Sequence, residues 1–175
     1  MPAPTLAITD FSLAAPLEAL RAALAESTTF QNLFTPAKTA AQLKDVILYG
    51  EADDEDTDDD MPRCILRAGE DEHFGVHATH ALNAEGSIDV EFQITIPAAN
   101  QANRNDAYLY AANKLGAIRN ETLQAILDDV TGTMLGQIQQ FRLNSMGPGE
   151  RHGHGDTRTL WYGAVFTATY FSIED

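Results

Sequence analysis

The sequence predicts an α+β protein: a mostly antiparallel sheet packed by one long helix, with short helices ahead of it. Two observations carry this. Residues 105–130 place Tyr108, Ala111, Ala112, Leu115, Ile118, Leu123, Ile126, Leu127 and Val130 mostly three or four apart, the spacing of one helix face. Residues 87–96 alternate Ile88, Val90, Phe92, Ile94 and Ile96 with Ser87, Asp89, Glu91, Gln93 and Thr95, the period of a strand with one wet face.

The chain in order gives the following. Residues 1–11 carry two prolines and no periodicity, and read as an extended arm. Ser12 can cap a first helix with Pro16 in its first turn, and Leu17, Leu20, Ala23 and Leu24 form its inward stripe. Phe30–Phe34 and Thr39–Lys44 make two further short helical turns. Residues 45–49 (DVILY) form a compact strand ended by Gly50. The segment 51–60 holds eight acids in ten residues, and mutual repulsion makes it a solvated surface loop between two strands.

Pro62 leads into the strand RCILRA, and Gly69–Glu72 is a polar turn. Residues 74–82 and 87–96 then pair as a hairpin around Asn83-Ala84-Glu85-Gly86. A polar connection, 97–105, precedes the long helix, in which Gly116 and Asn120 are points of weakness. A strand over 138–143, a glycine-rich loop over 144–157 and a final strand over 158–173 complete the order. The final strand carries large apolar groups on both faces, which predicts a central position in the sheet.

At 175 residues the chain is read as one domain, 1–175. No run of about 18 apolar residues is present, so no membrane span and no membrane partner is expected. The N-terminus lacks the charge and apolar core of a secretory signal. Cys64, the single cysteine, reads as a small buried side chain. The net charge is −15, of which residues 51–72 supply −9. That balance argues against binding nucleic acid through phosphates.

No GxSxG, HExxH, CxxC or phosphate-cradling glycine motif occurs, so no catalytic residues, no enzymatic activity and no cofactor are assigned. The acidic run lacks the central glycine and closing glutamate of a helix-loop-helix calcium site. His152, His154 and Asp156, at i, i+2 and i+4, could seat a metal, which makes a small metal-binding protein the competing reading. Their glycine neighbours give the loop little stiffness, and a loop that contacts a partner suits it better.

Several phrases carry a family resemblance: the helix pair LEALRAALAESTTFQNLF, the strand PRCILRA, the helix AANKLGAIRNETLQAIL and the closing strand W-Y-x-A-x-F-x-A-x-Y. From about Leu13 onward the chain resembles the tail terminator, or tail completion, proteins of long-tailed bacteriophages and related head-tail joining proteins. The resemblance implies an α+β virion subunit, made in the host cytoplasm and placed at the tail-neck junction. It implies a homo-oligomeric ring, a hexamer, that caps the tail tube protein and meets the neck or head-completion protein. DNA passes through the ring without being bound, which suits an acidic channel. Another neck or head-completion protein, or a tail tube subunit, is the nearest alternative. The residues expected at the channel or at ring contacts are Glu51, Asp53, Asp54, Glu55, Asp56, Asp58, Asp59 and Asp60, together with Arg151, His152 and His154.

Overall fold

A computed structural model describes residues 14–50, 62–69, 73–76, 82–129, 138–148 and 160–174. Three short helices come first: α1 (Ala14–Ala25), α2 (Thr28–Gln31) and α3 (Ala40–Lys44). Strands β1 (Ile47–Tyr49), β2 (Arg63–Ala68), β3 (His73–Val76) and β4 (Leu82–Thr95) follow. The long helix α4 (Arg104–Leu127) leads to β5 (Ile138–Pro148) and β6 (Trp161–Glu174). The predicted α+β class holds: the described strands form one sheet in the order β1-β2-β4-β6-β5, antiparallel except for the parallel pair β1 and β2.

The helices cover one face. Alternate residues of β4 (Ile88, Val90, Phe92 and Ile94) point into a single core that also holds Leu20 and Leu24 of α1 and Leu115 and Ile118 of α4. Phe30 meets Phe92 edge-on at 5.2 Å, Phe92 meets Phe166 at 5.6 Å, and Phe141 stacks on Phe166 at 5.0 Å. This chain of rings joins α2 to the far edge of the sheet. Cys64 lies in the same core, fully buried, and burial pushes its thiol well above the ordinary range.

α4 starts where the Asn103 side chain accepts the Asp106 amide at 2.8 Å, and it runs unbroken past Gly116 and Asn120. Its buried residues, Ala107, Ala111, Leu115, Ile118, Thr122 and Ile126, all lie on one side. Gly116 lies off that side with open space beyond its α-carbon, so the absent side chain leaves no hole in the core and the helix keeps its line there.

Several boundaries differ from the sequence expectation: α2 covers Thr28–Gln31 where the sequence predicts Phe30–Phe34, and β1 is Ile47–Tyr49 where it predicts 45–49. Residues 83–86 lie within β4, paired with β6 throughout and with β3 as far as Glu85, and do not form a turn. Gly86 owes its place to packing: it faces Tyr170, whose hydroxyl and nearest ring atoms would lie 2.5–3.0 Å from any β-carbon there. Of the expected polar turn over 69–72, only Gly69 lies within the described residues. β2 and β3 pair along the same side of β4, from Ala68 opposite Ile88 to His73 opposite Glu85. One strand thus advances five residues against three on the other. Last, β5 runs on through Pro148, so residues 144–148 of the expected loop are strand, because β6 continues beside them as far as Tyr162.

β6 is central, flanked by β4 and β5, as its two apolar faces predict. Gly50 ends β1 with a φ of +85°, a conformation glycine adopts without strain.

Candidate assembly surfaces

The sheet face turned away from the helices is the first candidate surface. Residues that point away from the core on β2, β4 and β6 meet there in a fixed polar net. Arg67 on β2 donates through Nε to the Gly50 carbonyl at 3.0 Å and pairs through Nη1 with Glu91 on β4 at 3.2 Å. Gln93 donates to the other carboxylate oxygen of Glu91 at 2.9 Å. One row further on, Thr167 on β6 donates its hydroxyl to Asp89 at 2.7 Å and accepts from the amide of Asn144 on β5. Four strands are thus tied across their ladder by side chains whose direction the strand period sets.

Apolar groups interrupt this net. Leu48 at the β1 edge is exposed, Val165 is half-buried, and the Trp161 ring lies over Gly163, 3.1 Å from where a β-carbon would sit. A surface with fixed polar groups around apolar patches is the composition of a protein interface, with anchors inside a polar rim.

The sheet edges are the second candidate. β5 is the outer strand, and its register shifts between Ile138 and Gln140 and again between Leu143 and Ser145. Bulges of this kind twist an edge away from flat strand addition, which discourages unregulated stacking. At the other edge, β1 is three residues long and pinned from the helix side. Tyr49 donates to Glu18 at 2.7 Å, Glu18 pairs with Arg21 at 3.4 Å, and the Arg21 guanidinium lies 5.2 Å from the Tyr49 ring centre. Burial and the bond to Glu18 push the Tyr49 hydroxyl up to about 12.

The helix layer is closed by a residue the sequence reading passed over. Glu121 on α4 accepts from the Ser27 hydroxyl at 2.7 Å, the Thr29 amide at 2.8 Å and the Thr29 hydroxyl at 2.6 Å. Burial opposes its charge, but the bonds from Thr29 and Ser27 and the nearby Lys114 outweigh it and hold the carboxyl below its ordinary value. The one sequence signal for Ser27 was its place before a helical turn, where its oxygen also caps Phe30. Nothing local pointed to Glu121 as its partner, 94 residues away.

The acidic residues Glu51, Asp53, Asp54, Glu55, Asp56, Asp58, Asp59 and Asp60 lie outside the described residues, as do Arg151, His152, His154 and Asp156. Among the described residues, no group of three or more His, Cys, Asp or Glu side chains could hold a metal ion. The connection after β4 is described: a 3-10 turn at Ala98–Asn100, with Gln101 donating back to the Ile96 carbonyl at 2.6 Å. It borders a cleft of about 410 Å³ lined by Arg104, Pro148 and Tyr162. No described helix is long and apolar enough to cross a membrane.

No protein-family model matches this chain, and no curated protein matches it.

Proposed function

We propose that this chain is a structural subunit of a long-tailed phage particle, a tail terminator that assembles as a ring on the end of the tail tube and joins it to the neck. The observation that carries the proposal is the sheet face turned away from the helices. Helices fill one side of the sheet, while the other presents a bonded polar net around Leu48, Trp161 and Val165. A ring built by rotation needs two unlike surfaces on each subunit. Here the sheet face turned from the helices and the bulged β5 edge are unlike one another, and the face is tied across four strands by side-chain hydrogen bonds. Rigid presentation lowers the ordering cost of association.

The electrostatics suit the same role. A net charge of −15 repels DNA phosphates, so a ring of such subunits lets a duplex slide without trapping it. The element order and the phrases that resemble tail terminators add to this support.

The test is assembly. Purified protein mixed with tail tubes is imaged by electron microscopy and its mass is measured. The expected result is a closed ring of six subunits seated on the tube end. A chain that neither forms rings nor binds tubes overturns the proposal. Density along the whole tube, or on the capsid side of the neck, assigns the chain to a tube or head-completion subunit instead.

A further inference from the structure

The cleft beside the first turn of α4 contains a polar group that the fold does not use. Its walls are largely apolar, from Ala107, Pro148, Leu160 and the Tyr162 ring, and Arg104 borders it. Tyr162 is 2% exposed. Its ring meets that of Tyr108 edge-on at 6.3 Å, so the side chain reaches from β6 to the opening turns of α4, where the cleft lies. Among the described residues, no protein group bonds to its hydroxyl. A buried tyrosine ordinarily finds a partner for that group. Here the cleft is the place from which one can reach it.

Arg104 pairs with no acid among the described residues. Asp106, the acid of the same turn, does not line the cleft, and its carboxylate accepts from the Asn103 side-chain amide at 2.6 Å. The Asn103 oxygen takes the Asp106 backbone amide, which leaves the amides of Arg104 and Asn105 at the positive end of the helix. At physiological salt, charges more than about 8 Å away are largely screened. These groups, rather than the net charge of −15, therefore govern a ligand inside the cleft.

We propose that this cleft binds a small organic acid: a single carboxylate carried on an aromatic or branched apolar body. The carboxylate meets the Arg104 guanidinium, whose planar fork matches it, and accepts from the Tyr162 hydroxyl. The apolar body lies against Ala107, Pro148 and Leu160. One cation and one hydroxyl suit one negative charge, whereas a phosphate dianion calls for more donors. At about 410 Å³ the space is at the small end of the range for ligand sites, which suits a single ring better than a longer chain. Binding needs no ring assembly and is read on the subunit in solution, so its failure and the failure of the tail terminator reading are separate results.

Sodium benzoate, titrated into isotope-labelled protein and followed by NMR, is the test. The Arg104 and Asn105 amides should shift, with a Kd of about 1–10 mM. Benzyl alcohol keeps the ring without the charge, and inorganic phosphate keeps a charge without the ring; each should bind at least about fivefold more weakly. Arg104→Gln and Tyr162→Phe should each weaken benzoate by about fivefold or more. Tyr162→Phe should also leave the melting temperature unchanged, because its hydroxyl has no protein partner to lose among the described residues; a purely structural role would lower it. An acetylated tripeptide ending in phenylalanine offers the same group from a chain end, and tighter binding of that peptide than of benzoate overturns the assignment to a free acid. No shift with benzoate up to about 50 mM, binding indifferent to both variants, or equal binding of benzyl alcohol or phosphate overturns the proposal.

Discussion

The Glu121 carboxylate takes three hydrogen bonds from Ser27 and Thr29 and so fastens the N-terminal helices to α4. Hydrogen bonds to a charged acceptor are the stronger kind, and replacing Glu121 with Gln should lower stability by about 1–2 kcal/mol at pH 7 in urea titration. The sign of the pH effect follows from the lowered pKa. The folded state holds its proton less tightly than the unfolded chain, so this stabilisation is complete above the ordinary value near 4.5 and is lost as pH falls through the folded value. Glu121→Gln should therefore flatten the acid side of the stability profile. An unchanged profile would show that the contact contributes nothing.

Gly86 makes a second prediction at this scale. Gly86→Ala drives a methyl into the Tyr170 ring and should cost about 1–3 kcal/mol. Combined with Tyr170→Ala, the two costs should sum to more than the double variant loses, because the clash needs both partners.

Among the elements, α4 divides cleanly into two sides. Leu115 is fully buried, and Leu115→Asp should leave no cooperative thermal transition, because an unpaired charge has no partner in that core. Leu109 stands on the opposite side, so Leu109→Asp should shift stability by less than about 0.5 kcal/mol. Equal losses from both would mean the helix is not oriented as described. On the sheet, Thr167→Val keeps the shape but leaves Asp89 and Asn144 without their shared hydroxyl. A loss of about 1–3 kcal/mol is expected from the unfolding midpoint, the range for leaving half-buried polar partners unsatisfied.

Across the whole molecule, the charge of −15 sets the response to salt. The compact state concentrates like charges that the unfolded chain holds further apart. Raising sodium chloride from about 0.01 M to 0.3 M shortens the screening length from roughly 30 Å to under 8 Å, and the melting temperature should rise over that range. A falling midpoint would show that attractive pairs such as Arg67 with Glu91 outweigh the net repulsion.

The sequence by itself determined what local periodicity encodes: the α+β class, α4 to within a few residues at each end, the bounds of β2, the alternation of β4 and the central position of β6. Each is a regular pattern of apolar side chains, set by a neighbour three, four or two positions away. What only the tertiary structure decided depends on partners distant in the chain. The parallel pairing of β1 with β2, the continuation of β4 through residues 83–86 and of β5 through Pro148 were settled by the neighbouring strand. The polar letters there read locally as turns, but β6 runs alongside and supplies the hydrogen bonds that make them strand. The candidate surfaces belong to the same category. The Asp89-Thr167-Asn144 net and the Glu121 clamp join residues 23 to 94 positions apart, and no periodicity in the sequence records such a meeting. Only closing the core brings them together.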